Sequence, residues 1–187
     1  MNQNSSMIPH SYISYGFVLK RKNFNEADRI LFIYSQERGK VSLIAKGIRR
    51  PGSRKRGHLE IFSKIKFQAV DSKNMGIMTE VETVDDYEPL RKSMNKVSLA
   101  YYFVEVLFKA THEGEKNPEL FDFISEIMEK LKTTKKLRSL RMEFVSGLLK
   151  ILGYWPKDTI LDSPDEKLEE VLERQIYSKR VGKLMLE

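Results

Sequence analysis

The 187-residue chain contains no cysteine and only three histidines, His10, His58 and His112, which are far apart in the sequence. Without cysteine the protein forms no disulfide, no thiolate zinc site and no thiol nucleophile. The scattered histidines have no metal-ligand spacing, so we predict that the protein binds no metal and needs no cofactor. The chain also lacks an apolar run of eighteen residues and an N-terminal signal sequence, as expected of a cytoplasmic protein outside the membrane.

The chain lacks the short motifs that mark common catalytic sites. It contains no Gly-rich phosphate loop ending in Lys-Ser or Lys-Thr, no GxSxG turn and no HExxH helix. Asp85-Asp86 and Glu169-Glu170 are adjacent pairs, and neighbouring side chains diverge on a strand or a helix. We therefore predict that the protein is not an enzyme.

Positive charge is abundant and unevenly distributed. The net charge is +7, and residues 1–89 carry fifteen Lys and Arg against ten Asp and Glu. Between Glu37 and Glu60 there are eight cations and no acid. Because a solvated surface usually mixes both signs, this segregation favours a polyanionic partner.

Five segments of the first half have the composition of β-strands: 12–22, 27–36, 39–47, 59–70 and 74–85. They are rich in β-branched and aromatic residues and are separated by Gly, Asn, Asp or charged breaks. Five short antiparallel strands need closure to hide their edges, which favours a small barrel of the oligonucleotide-binding type. A fragment of a β-sandwich is the alternative.

The fourth segment alternates clearly between an apolar and a polar side. Its predicted inward residues are Leu59, Ile61, Ile65, Phe67 and Ala69, and its predicted outward residues are Glu60, Phe62, Lys64, Lys66 and Gln68. An exposed Phe62 ring beside two lysines would form a platform for stacking nucleic-acid bases. Tyr15, Phe32 and Tyr34 lie on neighbouring strands, and the pattern leaves their orientation open.

The second half has a helical period. Apolar residues from Val97 to Phe108 predict a helix of about twenty residues that ends near Gly114. Asn117 followed by Pro118 predicts the N-terminus of a second helix. A third helix spans about 136–152 and stops at Gly153, and Ser163-Pro164 begins a fourth. We predict a helical bundle.

The segment "KGIRRPGSRKRG", residues 46–57, has six cations, no acid and three glycines. Its glycines and Pro51 disfavour a helix, and a loop of this kind brings side chains and backbone amides close to phosphates. The alternative to nucleic-acid binding is a solubilising loop, or an anchor for anionic lipid or an acidic protein. The predicted nucleic-acid-binding residues are Lys20, Arg21, Lys22, Arg29, Lys46, Arg49, Arg50, Arg54, Lys55, Arg56, Phe62, Lys64 and Lys66.

Two other functions are compatible with the residues. A helical groove bordered by cations could receive an acidic, hydrophobic peptide, and the candidate cations are Lys132, Lys135, Lys136, Arg138 and Arg141. These side chains could equally form a solvated helix face. A barrel that binds RNA is also possible, because nothing in the sequence shows how a 2′-hydroxyl is treated.

Several motifs resemble the RecO family of bacterial recombination mediators. They are Glu26-Ala27-Asp28-Arg29, Gly39-Lys40, Ala45-Lys46-Gly47 and the Ser53–Arg56 run before Leu59. Downstream, "RMEFVSGLLKILGYWP" and "QIYSKRVGKLML" are similar to two helices of the family. The resemblance rests on the combined order and spacing of these motifs.

The resemblance implies an oligonucleotide-binding barrel over 1–88 and a helical domain over 89–187, without catalytic residues. Such proteins bind single- and double-stranded DNA and anneal complementary strands in the bacterial nucleoid. With RecR they help RecA to replace single-strand-binding protein on DNA. The alternative to this function is a protein-interaction module whose helical cations bind the acidic tail of single-strand-binding protein.

The sequence differs from the family in two respects. Many members carry a four-cysteine zinc module before the terminal helix, where this chain has only "KDTILDSPDEKLEEVLER", so we expect that module to be deleted. Many barrels of this type also have a helix between strands three and four, where this chain has the basic loop. We therefore expect a wider DNA footprint than the usual face of strands two and three.

Overall fold

The computed structural model describes residues 10–53, 56–72, 75–156 and 163–172. The first half forms five strands that close into a barrel in the order β1-β2-β3-β5-β4, with β4 returning to β1. The strands are β1 (Ser11–Phe24), β2 (Asp28–Ser35), β3 (Gly39–Ala45), β4 (Lys64–Val70) and β5 (Gly76–Asp85). The predicted closed barrel is confirmed, and the sandwich fragment is wrong.

One pairing in the barrel differs from the all-antiparallel expectation. The strands β3 and β5 pair in parallel at Leu43↔Gly76 and Ile44↔Ile77, whereas the other neighbours are antiparallel. Side-chain alternation has the same period in both arrangements and does not reveal strand direction. This short parallel contact joins the two edges and completes the closure.

The barrel core is filled by inward side chains from all five strands. Its buried residues are Val18, Leu31, Ile33, Leu43, Ala45, Ile65, Phe67, Ala69 and Met78. Two further members come from the connection between β3 and β4, since Ile48 and Leu59 are completely buried at one end of the barrel. Burying a large aliphatic side chain is worth about 1.5–3 kcal/mol, so these two residues anchor the ends of the basic loop firmly.

The predicted fourth strand is shorter in the structure, and the expected exposure of Phe62 is wrong. The strand begins at Lys64, and Phe62 has a φ of 61° and is fully buried against the helices. Glu60–Ser63 form a turn in which Phe62 N donates to Val18 O at 2.8 Å. The alternation of residues 65–69 places Phe62 outside the barrel core, as observed, but the helices pack over this part of the barrel and bury the ring.

Within the described residues, the barrel is followed by five helices: α1 (Glu88–Arg91), α2 (Met94–Ala110), α3 (Pro118–Thr133), α4 (Leu137–Ile151) and α5 (Pro164–Leu172). The predicted cap is confirmed, because the Asn117 side chain accepts from Leu120 N at 2.9 Å. Gly153 ends α4 with a φ of 79°, as predicted. The short α1 was not predicted.

The helices pack directly on the outside of the barrel. Phe17, Leu19 and Tyr34 point outward from the barrel and belong to the same hydrophobic cluster as the cores of α2, α3 and α4. The ring of Phe17 lies 5.6 Å from that of Phe121 on α3. The barrel and the bundle are therefore joined by a shared apolar interface.

The predicted first long helix ends earlier than expected. It stops at Ala110, because Thr111 is extended, with φ −112° and ψ 148°. We call the following segment, residues 111–117, the strap. It crosses the N-terminal part of β3 and forms a parallel bridge between Glu113 and Lys40.

Candidate nucleic-acid interface

Five cations lie around the turn that joins β1 to β2. We call this group, Lys22, Arg29, Lys46, Arg49 and Arg50, the basic hairpin end. Lys22 is opposite Ile30, and Arg29 is opposite Ala45. Lys46 directly follows β3, and Arg49 reaches back to the turn. Four of the five side chains are exposed, and Arg29 is half-buried. This surface combines charges from three separate parts of the sequence.

Backbone hydrogen bonds fix the start of the basic loop against this turn. Asp28 accepts from Gly47 N at 2.7 Å, and Arg49 N donates to Ala27 O at 2.9 Å. Gly47 has a φ of 66°, a conformation that glycine adopts without steric cost. With Ile48 buried between them, the side chains of Lys46 and Arg49 are directed into solvent. The loop is therefore held in place where its cations meet the hairpin.

An exposed aromatic ring lies beside these cations. Phe24, the last residue of β1, is 38% exposed. It is opposite Asp28 and two residues from Lys22, so both side chains project from the same side of β1. Lys22 begins a row of paired residues that crosses four strands. The row continues through the half-buried Ile30, Ile44 and Ile77. This outer face offers a ring, an apolar floor and bordering cations.

The sequence interpretation missed Phe24. Phe24 is next to the turn sequence Asn25-Glu26-Ala27, where the alternation of apolar and polar residues ends, so the pattern does not predict whether its side chain is exposed. The available signal was its spacing, because Phe24 is separated by two and by four residues from Lys22 and Lys20 on the same strand. Buried Phe62, by contrast, has its ring edge against Tyr101 at 5.4 Å.

The other cations of β1 are partly engaged within the protein. The guanidinium of Arg21 forms an ion pair with Glu60 at 2.7 Å. Lys20 is exposed and lies opposite Phe32, with its ammonium 4.9 Å from the ring of Phe108 on α2. Lys20 therefore continues the outer face toward the strap, whereas Arg21 is neutralised at its edge.

Lys64 and Lys66 lie away from the basic hairpin end. Lys64 contacts Ser125 of α3 at 3.4 Å and borders a cleft of about 340 Å³ between the barrel and α3. Lys66 is exposed on β4 and lies opposite Tyr15 on one side and Glu82 on the other. This face mixes both signs, so the structure does not join these two lysines to the basic surface.

The second part of the basic loop is only partly described. Arg54 and Lys55 lie outside the described residues, and Arg56 begins a short 3-10 helix that extends to His58. The imidazole Nδ1 of His58 is 2.7 Å from the Thr83 hydroxyl oxygen, which ties the end of the loop to β5. The role of Arg54, Lys55 and Arg56 stays a prediction.

The helical cations predicted to hold a peptide divide into two kinds. Lys132 pairs with Asp85 and Glu129, and Arg141 forms a double hydrogen bond with Asp165 at 2.6 and 2.7 Å. The Lys132 pair joins α3 to β5 of the barrel, and the Arg141 pair joins α4 to α5. The exposed members of the set are Lys135, Lys136 and Arg138.

Burial shifts the pKa of two groups where the strap meets the barrel. Burial raises the pKa of Tyr34 to about 12, and Glu115 contributes to that rise. Burial lowers the pKa of Lys40, although the negative charges of Glu113 and Glu115 partly oppose this. Tyr34 therefore keeps its proton near neutral pH.

The described part of the chain has neither a metal-ligand cluster nor a membrane-spanning helix. No group of three or more His, Asp or Glu side chains there is arranged to hold a metal ion. No helix among those residues combines the length and apolar character that crossing a bilayer requires.

These features define an oligonucleotide-binding barrel joined to a helical bundle. They are the strand order, the closure through β3 and β5, and the cationic outer face with its exposed ring. Comparison with known families is more specific. The family model described as Recombination protein O N terminal matches residues 7–87, and Recombination protein O C terminal matches residues 91–157. The chain belongs to the RecO family.

Curated relatives support the same assignment. The chain is similar to the DNA repair protein RecO of Pelotomaculum thermopropionicum, with 30% identity over 78% of this chain and 56% of that protein. It is similar to those of Dehalococcoides mccartyi, with 27% identity over 80% and 59%, and Geobacter metallireducens, with 31% over 73% and 56%. The chain thus spans somewhat more than half the length of the curated relatives it matches.

Proposed function

We propose that the protein binds single-stranded DNA along the outer face that runs from the basic hairpin end toward Lys20, and that it anneals complementary strands. The observation that carries this proposal is the exposed Phe24 ring next to Lys22, beside a loop that directs Arg49 and Arg50 into solvent. Cations attract the phosphates, and the ring with its apolar neighbours receives bases without selecting a sequence.

The proposed activity involves no bond chemistry. Two DNA strands repel each other, and a dense cationic surface lowers that repulsion by replacing their condensed counterions. Arginine is suited to this task because its planar guanidinium contacts a phosphate through two hydrogen bonds. We therefore propose a non-enzymatic protein of DNA repair.

The cellular role follows from the family as a proposal. The protein would act with RecR to help RecA load on DNA that is coated with single-strand-binding protein, in the bacterial nucleoid. The division into a barrel domain, 1–88, and a helical domain, 89–187, remains part of this proposal. Docking of the acidic tail on Lys135 and Arg138 is a prediction of the same kind.

A fluorescence strand-annealing assay tests the function. We compare the wild type with the double variant Arg49→Ala/Arg50→Ala and with the control Lys135→Ala/Arg138→Ala, which removes the same charge from exposed positions of the bundle. We expect slower annealing in the first variant alone. Equal annealing by all three proteins would exclude the basic hairpin end from the mechanism.

A competition binding experiment shows whether the protein prefers DNA or RNA. DNA and RNA strands of one sequence compete for the protein, because RNA binding by this barrel is the nearest alternative. Preferential binding of RNA would contradict the proposed role in DNA repair and would leave the binding surface itself unchanged.

A further inference from the structure

The strap places a carboxylate on the same outer face. The Ser42 hydroxyl of β3 donates a hydrogen bond to the Glu113 carboxylate. Ser42 is opposite Phe32, and Phe32 is opposite Lys20, so the three side chains project from one side of neighbouring strands. Two residues along a strand advance about 7 Å, so this row is directly next to the row of Lys22, Ile30 and Ile44.

Several contacts hold the strap in this position. The ammonium of Lys40 donates to the carbonyl of Phe108 at 2.9 Å and to that of Thr111. Gly114 N donates to Lys40 O at 3.0 Å. The approach is close at Gly39, where an added Cβ would lie 1.9 Å from the carbonyl oxygen of Glu115. The strap is thus packed against β3 along its length.

The groups beneath the strap are those that bind a phosphate. The Ser42 hydroxyl contacts the Glu113 carboxylate, the charge of Glu113 acts on the ammonium of Lys40, and Lys20 lies in the same row as Ser42. Lys20 and Lys40 each lie 4.9 Å from the ring of Phe108, so both cations are next to the strap. A carboxylate and a phosphodiester present the same kind of acceptor to such donors.

We propose that Ser42, Lys20 and Lys40 form a phosphate site that Glu113 occupies in the free protein and that a bound DNA strand takes over when the strap lifts. The site rests on the proposed function and extends it, because it lengthens the footprint by one phosphate beyond the basic hairpin end. The strap then keeps the face closed to weaker anions, since any competitor must replace both a carboxylate and the backbone contacts that hold it.

Binding of a single-stranded oligonucleotide as a function of salt tests the site. We expect Glu113→Gln to bind about three- to tenfold more tightly at low salt, because the competing charge is gone. Its plot of log K against log salt should keep the slope of the wild type, because both proteins contact the same phosphates once the strap has lifted. Glu80→Gln, an exposed position on β5 away from this face, is the control for net charge.

Adding Lys20→Ala to Glu113→Gln should make the slope shallower by about 0.7, because the phosphate contact then lacks one of its cations. The site is overturned if Glu113→Gln and Glu80→Gln have the same affinity. It is also overturned if Lys20→Ala leaves the slope of the double variant unchanged.

Hydrogen exchange separates this failure from failure of the proposed function. With saturating oligonucleotide we expect faster exchange in the strap, including Gly114 N–H, and slower exchange over residues 23–29. Slower exchange at the hairpin with an unchanged strap would reject the hidden phosphate site and support the proposed function. Unchanged exchange in both segments would reject the proposed function as well.

Discussion

Replacing two phenylalanines separates the binding surface from the core. Phe24 is 38% exposed beside the basic hairpin end, whereas Phe62 is fully buried, with the guanidinium of Arg91 4.4 Å from its ring. Loss of a buried phenyl ring costs about 3–5 kcal/mol, so Phe62→Ala should lower the free energy of unfolding by that amount. Phe24→Ala should change stability by less than about 1 kcal/mol, as is usual for surface positions.

The effect on DNA binding should be the reverse. Base stacking on an aromatic side chain is worth about 1–3 kcal/mol, so Phe24→Ala should weaken single-strand binding by roughly 5- to 150-fold. Phe62→Leu, which keeps most of the buried volume, should bind DNA like the wild type once folded. Tyr15→Ala is the matched control, because Tyr15 is also 38% exposed but lies on the β4 side of the barrel.

Urea unfolding measured by circular dichroism gives the stabilities, and fluorescence anisotropy of a labelled oligonucleotide gives the affinities. The reasoning is refuted if folded Phe62→Leu loses more affinity than Phe24→Ala. It is equally refuted if Tyr15→Ala weakens binding as much as Phe24→Ala does.

Three further predictions concern the elements that position this face. Gly39→Ala should destabilise the protein by more than about 2 kcal/mol in urea unfolding, because a φ of 65° and the close contact with Glu115 both oppose a side chain. The control is Gly52→Ala, which should cost about 1 kcal/mol, because Gly52 has a φ of 81° but open space around it. Asn117→Ala should cost about 1 kcal/mol through loss of the α3 cap, and Asn117→Ser should restore most of it in the same assay. The free energy of unfolding should fall as pH rises from about 10 to 12, because the pKa of Tyr34 is raised to about 12 and the native state keeps a proton that the unfolded chain releases near 10. In unfolding measured as a function of pH, Tyr34→Phe should reduce this fall. The same pH profile in the variant and the wild type would contradict the role of Tyr34.

The barrel could be predicted from sequence because each strand carries local signals. Val41, Leu43 and Ala45 alternate with Ser42 and Lys46, with Ile44 as the exception, and Leu43 and Ala45 are fully or nearly fully buried in the barrel core. Helix ends with a specific chemical signal, such as Asn117 before Pro118, were also predictable. These features depend on residues within a few positions of one another.

The errors arose where distant parts of the chain determine the structure. Nothing near Phe62 in the sequence signals its positive φ or the helices of the second half of the chain that cover its ring outside the barrel. The extended strap continues an apparently helical segment, and it is stabilised by contacts with Lys40 and Ser42 some seventy residues earlier. The parallel pairing of β3 with β5 likewise depends on contacts between residues far apart in the sequence.

The candidate site was predictable in composition and only partly in location. Segregated charge identified the basic loop, and the structure brings Lys46, Arg49 and Arg50 together with Lys22 and Arg29. Charge counting alone could not separate these from Lys64 and Lys66, which lie on a face with Glu82. Three-dimensional closure of the barrel decides which cations share a surface.

The most direct measurement is the salt dependence of single-strand binding for the wild type and for Lys22→Ala/Arg49→Ala/Arg50→Ala. With about 0.7 per phosphate contact, five engaged cations predict a slope of log K against log salt of about −3.5 for the wild type. The triple variant should have a slope shallower by about 2. Identical slopes, or a wild type that does not bind oligonucleotides at low salt, would contradict the assignment of this surface to DNA.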